Sequence, residues 1–394
     1  NDMDQRTEFA LRVIRNVERF GEVCQEYGIS RKTGYKWKAR FLAEGQSGLG
    51  NQSRRPDRSP NGLGEAMVCQ IVKLRIAHPS WGARKLRAVL ERTLGPERVP
   101  SESSFKRVLD KAGLVQRRRR VTSEQAGRLQ TPTRAERPNQ VWTIDFKGWW
   151  YTRNRERFEP LTIRDDFSRY VLCAQAMQDA CSETVRRQMI EVFERYGLPE
   201  VIRSDNGVPF AAPKSPLGLS RLSAWWLSLG INLDRIAPGR PDQNGGHERM
   251  HRDIARELER QASEDSAGQQ AELDVWRKTF NEERPHEALG MRVPQEVYRA
   301  SSRRFDPTPV EVVYPREHLV RKVNNIGAVK IQSRTVSVSL ALCGFPVGLE
   351  SLNEHRWAVW FCRLCLGEID LSTHKFHAAG PATRYESDAE EASP

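Results

Sequence analysis

Three carboxylates stand in local settings that suit metal-dependent chemistry. Asp145 is the single acid in an apolar and aromatic run, Val141–Trp150, which predicts a buried strand. Asp205 follows a short apolar run and precedes Asn-Gly, which places it in a turn at the end of a strand. Glu248 follows a Gly-rich loop and lies in the first turn of a predicted helix that begins at about His247. Carboxylate oxygens are the ligands that Mg²⁺ prefers.

Each carboxylate also has an ordinary explanation when it is taken alone. An acid in a first helical turn suits the positive end of the helix dipole, and Asp-Asn-Gly is a common turn sequence. Asp145 is harder to explain in this way, because a buried and unpaired carboxylate is costly unless it is paired or holds a metal. Asp165 and Asp166 fall in a predicted turn between two strands, so we assign them to turn and capping roles.

Together, these residues resemble the Asp-Asp-Glu triad of the retroviral-integrase superfamily, and specifically that of bacterial insertion-sequence transposases. The resemblance extends over nearly the whole chain. The phrases that carry it are Gly28-Ile-Ser-Arg-Lys-Thr-Gly-Tyr-Lys-Trp37, Trp81-Gly-Ala-Arg-Lys-Leu86, Asp166-Phe-Ser-Arg-Tyr170, Leu219-Ser-Arg-Leu-Ser-Ala-Trp-Trp226, Pro241-Asp-Gln-Asn-Gly-Gly-His-Glu-Arg249 and Asn281-Glu-Glu-Arg-Pro-His-Glu-Ala-Leu289.

The resemblance implies a ribonuclease H-like core that holds two Mg²⁺ or Mn²⁺ ions per active site through Asp145, Asp205 and Glu248. Water would attack the phosphate at the element end, and the freed 3′-hydroxyl would then attack target DNA. The gap between Asp205 and Glu248 is longer than in retroviral integrases, and we place the excess in the Pro- and Gly-rich stretch 211–219.

Composition agrees with a nucleic-acid partner. The chain has 394 residues, a formal net charge of +12 and a sequence pI near 9.5, so it favours a polyanion, and its length predicts two to four domains. No run approaches 18 apolar residues and no signal peptide is visible, so we expect no membrane association and a cytoplasmic, nucleoid-associated protein. Seven cysteines, an odd number, fit a reducing compartment. Cys362 and Cys365 allow a zinc site, although a strand over Trp357–Leu366 is the favoured interpretation.

Two helical segments predict DNA-binding modules. Ser30 begins a basic helix after a Gly28-Ile29 turn, which is typical of a helix-turn-helix, and Ser101 begins a second such helix. An ordinary helical hairpin with a solvated basic face is the alternative. The predicted DNA contacts are Arg31, Lys32, Tyr35, Lys36 and Lys38 in the first module, and Ser103, Ser104, Lys106 and Arg107 in the second. The run Arg117, Arg118, Arg119 and Arg120 could be a solvated tether or a segment that tracks DNA.

Near the triad, we predict DNA contacts at Asn206, Gln243, Arg249, Arg252 and Arg256. His247 and His251 flank Glu248, where a histidine is more often passive than catalytic. The predicted fold class is multidomain α+β: tandem helix-turn-helix domains, a ribonuclease H-like α/β core with a mixed sheet, and a small C-terminal β-barrel. The predicted divisions are 1–50, linker 51–64, 65–116, basic linker 117–137, core 138–300, linker 301–318, barrel 319–378 and acidic tail 379–394.

The expected function is therefore a transposase that acts on double-stranded DNA, at terminal inverted repeats and at a target. Bringing two ends together implies at least a dimer. A repressor or decayed transposase that only occupies its sites is the alternative from another class, and a nuclease of the same fold that does not join DNA is a second. Tandem DNA-binding modules and an intact triad favour the transposase.

Overall fold

The computed structural model describes residues 2–51, 63–115, 134–237, 241–308 and 311–379. The predicted arginine run 117–120, most of the predicted linker 51–64 and the acidic tail lie outside these residues. The chain divides into two compact units, residues 1–64 and residues 65–394. The finer division into domains stays a prediction. No helix among the described residues is long and apolar enough to cross a membrane.

The first unit is a three-helix arrangement of α1 (Asp2–Arg15), α2 (Phe20–Glu26) and α3 (Arg31–Glu44). Ser30 caps α3 as predicted, because its hydroxyl accepts a hydrogen bond from the Thr33 amide at 3.2 Å. Phe9 is fully buried and packs edge-on against the rings of Tyr27 and Trp37. This aromatic core fixes the turn between α2 and α3.

The second unit begins with three more helices, α4 (Glu65–Ala77), α5 (Ala83–Leu94) and α6 (Glu102–Lys111). Ser101 caps α6 by accepting from the Ser104 amide, as the sequence predicted. One apolar side chain from each helix is fully buried: Ile71 of α4, Leu86 of α5 and Phe105 of α6.

A five-stranded mixed sheet follows, in the order β5-β4-β1-β6-β7. β1, β4 and β5 pair antiparallel as a meander, whereas β1, β6 and β7 run parallel. The predicted mixed sheet is thus confirmed. The bounds are β1 Val141–Phe146, β2 Trp150–Tyr151, β3 Arg157–Phe158, β4 Pro160–Asp165, β5 Val171–Ala176, β6 Val201–Ser204 and β7 Asn232–Arg235, with β2 and β3 forming a separate hairpin.

The two faces of this sheet have different chemistry because side chains alternate along each strand. Trp142 and Ile144 of β1 are fully buried in the apolar core beneath α7 (Ser182–Tyr196) and α8 (Arg221–Ser228). Thr143 and Asp145 point to the opposite face, which carries the polar residues. The amphipathic pattern of Ser182–Tyr196 in the sequence predicts a helix, and α7 has the same bounds.

Three further helices complete this part of the unit: α9 (Gly245–Glu257), α10 (Ser266–Glu282) and α11 (Pro294–Val297). The prediction that glycines forbid a helix before about His247 was wrong, since α9 includes Gly245 and Gly246. A glycine is tolerated in a first helical turn where a neighbouring group leaves no room for a side chain. Here the Arg164 guanidinium lies against Gly246.

Side chains of α10 cover the edge strand β5. The Asn281 side chain accepts from the Val171 amide at 2.8 Å and donates to the Val171 carbonyl at 3.0 Å. Gln270 makes the same kind of pair with the Ala176 amide and the Ala174 carbonyl. An exposed edge invites pairing with another chain, so these amides both satisfy the backbone and protect the edge.

Asn281→Ala should destabilise the second unit by about 2 kcal/mol or more, because it leaves two buried backbone groups without partners. Urea unfolding followed by tryptophan fluorescence measures the effect. Glu282→Ala, at the next and exposed position of α10, serves as the control and should change stability by less than about 0.5 kcal/mol. Equal midpoints for the two variants would contradict the assigned role of Asn281.

The C-terminal segment contains a two-stranded sheet, β10-β9, and a five-stranded antiparallel sheet, β14-β13-β12-β11-β8. Strand pairing among the described residues does not close them into a barrel, so the predicted small β-barrel is not confirmed. The bounds are β8 Leu319–Lys322, β9 Ala328–Ile331, β10 Arg334–Ser337, β11 Pro346–Ser351, β12 Arg356–Phe361, β13 Leu364–Asp370 and β14 Lys375–Ala378.

Two strand predictions were too long. The run Val141–Trp150 ends as a strand at Phe146, because Gly148 adopts a φ of +84° that turns the chain. The stretch Trp357–Leu366 is two strands, β12 and β13, joined by a tight turn in which Cys362 has a φ of +52°. Apolar periodicity continued through both turns, so the pattern alone did not show them.

Candidate active site

Strand pairing brings the first two carboxylates together. β1 and β6 are parallel neighbours, with Thr143 opposite Arg203. Asp145 and Asp205 each lie two residues further along, at the carboxyl ends of their strands. Neighbouring strands are about 4.8 Å apart, so the two acids share one edge of the sheet.

The helix α9 brings Glu248 to the same face. Its residues His247 and His251 place their Nε2 atoms 3.0 and 2.8 Å from the Thr162 hydroxyl, and Thr162 pairs with Asp145 across β1 and β4. His247 is fully buried beneath Glu248. Both histidines therefore attach α9 to the sheet, a structural role that the sequence alone left open.

The electrostatics of Asp145 show that the three acids influence one another. Burial and the negative charges of Asp205 and Glu248 together raise the pKa of Asp145 to about 7, while a hydrogen bond from the Phe146 amide acts to lower it. The His251 Nδ1 atom lies 4.0 Å from the Asp145 carboxylate, but burial lowers the pKa of His251 to about 3. A neutral imidazole does not compensate the clustered negative charge.

This donor set fits a divalent cation in its chemistry, because three carboxylates that repel each other supply the oxygen ligands that Mg²⁺ takes. The positions of these side chains do not by themselves form a complete metal site. Within the described ranges, no group of three or more His, Cys, Asp or Glu side chains is gathered closely enough to hold a metal ion. Asp205 and Glu248 are exposed, whereas Asp145 is half-buried.

A buried charge network lies beside the acids on the same face of the sheet. Arg164 pairs with Asp166 at 2.8 Å, Asp166 contacts Arg203 at 3.4 Å, and Arg203 pairs with Asp234 at 2.8 Å. The turn role predicted for Asp166 is thus only part of its function here. A charged residue inside an apolar strand is the sequence feature that could have indicated this network. Arg164 in β4 and Arg203 in β6 are both residues of this kind.

Asp165 has the capping role that the sequence predicted. Its carboxylate accepts hydrogen bonds at 2.7 Å from the Ser168 and Asn139 amides. Asp165 lies at the carboxyl end of β4, which runs antiparallel to β1. It is therefore near the amino end of β1, whereas Asp145 is near the carboxyl end of that strand. This geometry separates it from the three candidate acids.

The far half of α9 is anchored on its other side. Asp253 accepts from Arg284 at 2.5 Å, and Glu257 accepts from the Trp276 indole at 2.8 Å and from the Ser80 hydroxyl of the preceding helical segment. The two histidines at one end and these partners at the other hold the helix that carries Glu248.

The DNA contacts predicted near the triad fall into two groups. The Asn206 amide donates to the Ile236 carbonyl at 2.6 Å, and the Gln243 side chain accepts from the Ala237 amide at 2.8 Å. Both therefore bind the main chain directly after β7, at Ile236 and Ala237. Arg249, Arg252 and Arg256 are exposed on α9. Arg252 and Arg256 lie on the same face as Glu248, because they follow it at intervals of four residues.

Most residues predicted to read DNA in the helical segments are exposed. In α3 these are Arg31, Lys32, Tyr35 and Lys36, whereas Lys38 is half-buried. In α6, Ser103, Lys106 and Arg107 are exposed and Ser104 is half-buried. Arg107 donates to the Ser104 hydroxyl at 3.2 Å, and Lys106 pairs with Glu102 at 2.6 Å. No structural contact tests their predicted DNA roles.

Comparisons with family models match two kinds of domain. An integrase core domain matches residues 135–241 and, in a second model, residues 229–294. A helix-turn-helix domain matches residues 5–57, and a homeodomain-like domain matches residues 33–109. The integrase core region contains all three candidate acids.

Similar proteins come from mobile elements. The chain is 28% identical over 250 residues to the insertion element IS407 uncharacterized 31.7 kDa protein of Burkholderia multivorans, which covers 63% of this chain and 86% of that protein. It is 28% identical over 260 residues to the insertion element IS476 uncharacterized 39.2 kDa protein of Xanthomonas euvesicatoria, covering 65% and 71%. The resemblance to insertion-sequence members of the integrase superfamily is confirmed.

Viral proteins also match. The Gag-Pol polyprotein of baboon endogenous virus is 30% identical over 244 residues, which are 59% of this chain and 12% of that polyprotein. Among solved structures, the catalytic core domain of BIV integrase is 23% identical, covers 41% of this chain and 93% of its own, and has a TM-score of 0.31.

Proposed function

We propose that this chain, which carries an integrase core domain and helix-turn-helix domains and is related to insertion-element proteins, is an active DNA transposase. It would bind the terminal inverted repeats of an insertion sequence, hydrolyse the phosphodiester at each end and join the freed 3′-hydroxyl to target DNA. The observation that carries the proposal is that Asp145 and Asp205 lie at the carboxyl ends of neighbouring parallel strands and that Asp205 and Glu248 both raise the pKa of Asp145.

Asp145, Asp205 and Glu248 would hold two Mg²⁺ or Mn²⁺ ions. Two such ions, when bound, stabilise the charge on the attacking and leaving oxygens of an in-line displacement. The protein's own contribution is to position the acids. The sheet sets Asp145 beside Asp205, and His247 and His251 attach the helix that carries Glu248 to the same face of the sheet. Arg252 and Arg256 lie on the Glu248 face of α9, where they would neutralise phosphates next to the reacting bond.

The partners are double-stranded DNA at the element ends and at the target. Two helix-turn-helix modules suit a long terminal repeat, because each module reads only a few base pairs. Synapsis of two ends requires at least a dimer. A DNA substrate places the proposed action in the bacterial cytoplasm, at the nucleoid.

A strand-transfer assay tests the proposal. Purified protein, labelled DNA ending in the element's terminal repeat, a supercoiled target and Mg²⁺ are incubated beside the Glu248→Gln variant. We expect metal-dependent joined product from the parent and none from the variant, because the amide loses the charge that attracts the cation. Both proteins should bind the end DNA equally in a gel-shift control.

The other outcomes separate the alternatives. End binding by the parent without cleavage or joining would favour a repressor or a decayed transposase. Cleavage without joining would favour a nuclease. Joined product from Glu248→Gln at the parent's rate would remove Glu248 from the site.

A further inference from the structure

An exposed aromatic and cationic surface lies next to the candidate active site. We call it the Trp149 platform, and it consists of Trp149, Tyr151, Arg153, Arg155 and Arg157. Trp149 is 53% exposed and Tyr151 56% exposed. All ten tryptophans lie in the described part of the chain, and Trp149 is the one exposed tryptophan among them. Burying that ring alone would be worth about 2 kcal/mol, so its exposure needs a reason.

The two rings and their arginines are arranged together. Trp149 and Tyr151 meet edge to face, with centroids 5.2 Å apart and an interplanar angle of 63°. The Arg157 guanidinium lies over the Trp149 ring at 5.6 Å and also pairs with Glu159 at 2.5 Å. Arg153 and Arg155 are exposed at the hairpin tip, and neither forms an ion pair with a described residue.

The platform is held rigidly from below. Trp150 is buried against Phe158, with ring centroids 4.8 Å apart. The Arg153 and Asn154 amides donate to the Ser263 and Glu264 carbonyls at 3.0 and 2.9 Å. An exposed ring on an anchored hairpin loses little conformational freedom on binding, which favours recognition over disorder.

The position of the platform links it to the reaction. Trp149 lies four positions after Asp145 in the chain, so the two Cα atoms are at most about 14 Å apart. That distance corresponds to about four base pairs along a duplex. The positive φ of Gly148 turns the chain so that Trp149 leaves the sheet instead of continuing its buried face.

We propose that the Trp149 platform binds unpaired nucleotides of the DNA beside the cleavage position. Bases stack on Trp149 and Tyr151, while Arg153 and Arg155 pair with the flanking phosphates. Aromatic rings among cations are the pattern by which proteins hold single strands without reading their sequence. A base reaches such a ring only after it leaves its own stack. The inference rests on the proposed transposase function, since that function brings DNA to Asp145.

A sequence-independent probe tests this role. The full chain is titrated, without divalent metal, with a duplex carrying a short single-stranded tail that contains 2-aminopurine, and with the blunt duplex of the same sequence. The parent should bind the tailed duplex more tightly and quench its fluorescence. Trp149→Ala should weaken tailed binding by about 5- to 100-fold and leave blunt binding unchanged, because one stacked base is lost.

Two variants serve as controls. Trp149→Phe keeps a ring and should restore most of the preference for the tail, whereas Val275→Ala removes an exposed apolar side chain on α10 and should match the parent. Equal losses on tailed and blunt DNA would overturn the proposal. So would a change of oligomeric state in Trp149→Ala with unchanged DNA binding, which would assign the surface to a protein contact.

The strand-transfer assay separates the failure of this inference from the failure of the proposed function. If the parent prefers the tailed duplex through Trp149 but forms no joined product, the result supports the Trp149 platform and contradicts the transposase function. A parent that joins DNA but shows no preference for the tail keeps the transposase and loses the platform.

Discussion

Asp145→Asn is expected to slow both cleavage and strand transfer by a factor on the order of 10³ or more while end binding stays unchanged. Asp205 and Glu248 both raise the pKa of Asp145, so Asp145 interacts electrostatically with both of the other acids. The amide removes a negative charge that would help to hold the cation. Single-turnover rates with a labelled end measure the effect.

A matched control separates this loss from a general effect of removing an acid. Asp274→Asn removes an exposed carboxylate from α10 and should leave both rates unchanged. Circular dichroism should show that both variants fold, and Asp145→Asn is expected to be at least as stable as the parent, because burial disfavours the charged carboxylate. A rate for Asp145→Asn within tenfold of the parent would exclude it from the reaction.

Gly246→Ala is expected to lower strand transfer by about 100-fold, the cost of misplacing a catalytic group by about 1 Å. A Cβ atom at position 246 would meet the Arg164 guanidinium, including its Nη1 atom at 2.6 Å. Arg164 is 3% exposed and pairs with Asp166 at 2.8 Å, so it has little room to move. The start of α9 would shift instead, and Glu248 lies only two residues along.

The adjacent glycine provides the control. A Cβ atom at Gly245 would meet nothing within 4 Å, so Gly245→Ala should keep its activity and gain slightly in helix stability. Strand-transfer rates of the two variants are compared at equal end binding. If the two alanines behave alike, Arg164 does not position α9.

The order of the elements followed from the sequence because its signals are local. Ser30 and Ser101 cap helices that begin where capping chemistry requires, and Ser182–Tyr196 was predicted at both ends from its apolar period. The three acids were found in the same way, as an acid within an apolar run, an acid in a turn after a strand, and an acid after a Gly-rich loop. The integrase core matches extend over all three.

Arrangements between distant residues needed the tertiary structure. The sequence alone was enough to select Asp145, Asp205 and Glu248, because Asp145 interrupts an apolar run and the three acids together resemble the Asp-Asp-Glu triad. Only strand pairing decided that β6 lies parallel to β1 and brings Asp205 beside Asp145. Only packing decided that Arg164 requires a glycine at 246, that Trp149 faces outward, and that the C-terminal sheets stay open. These outcomes depend on which surfaces pack together. A local sequence pattern shows which face of an element is apolar, but it does not show what that face packs against.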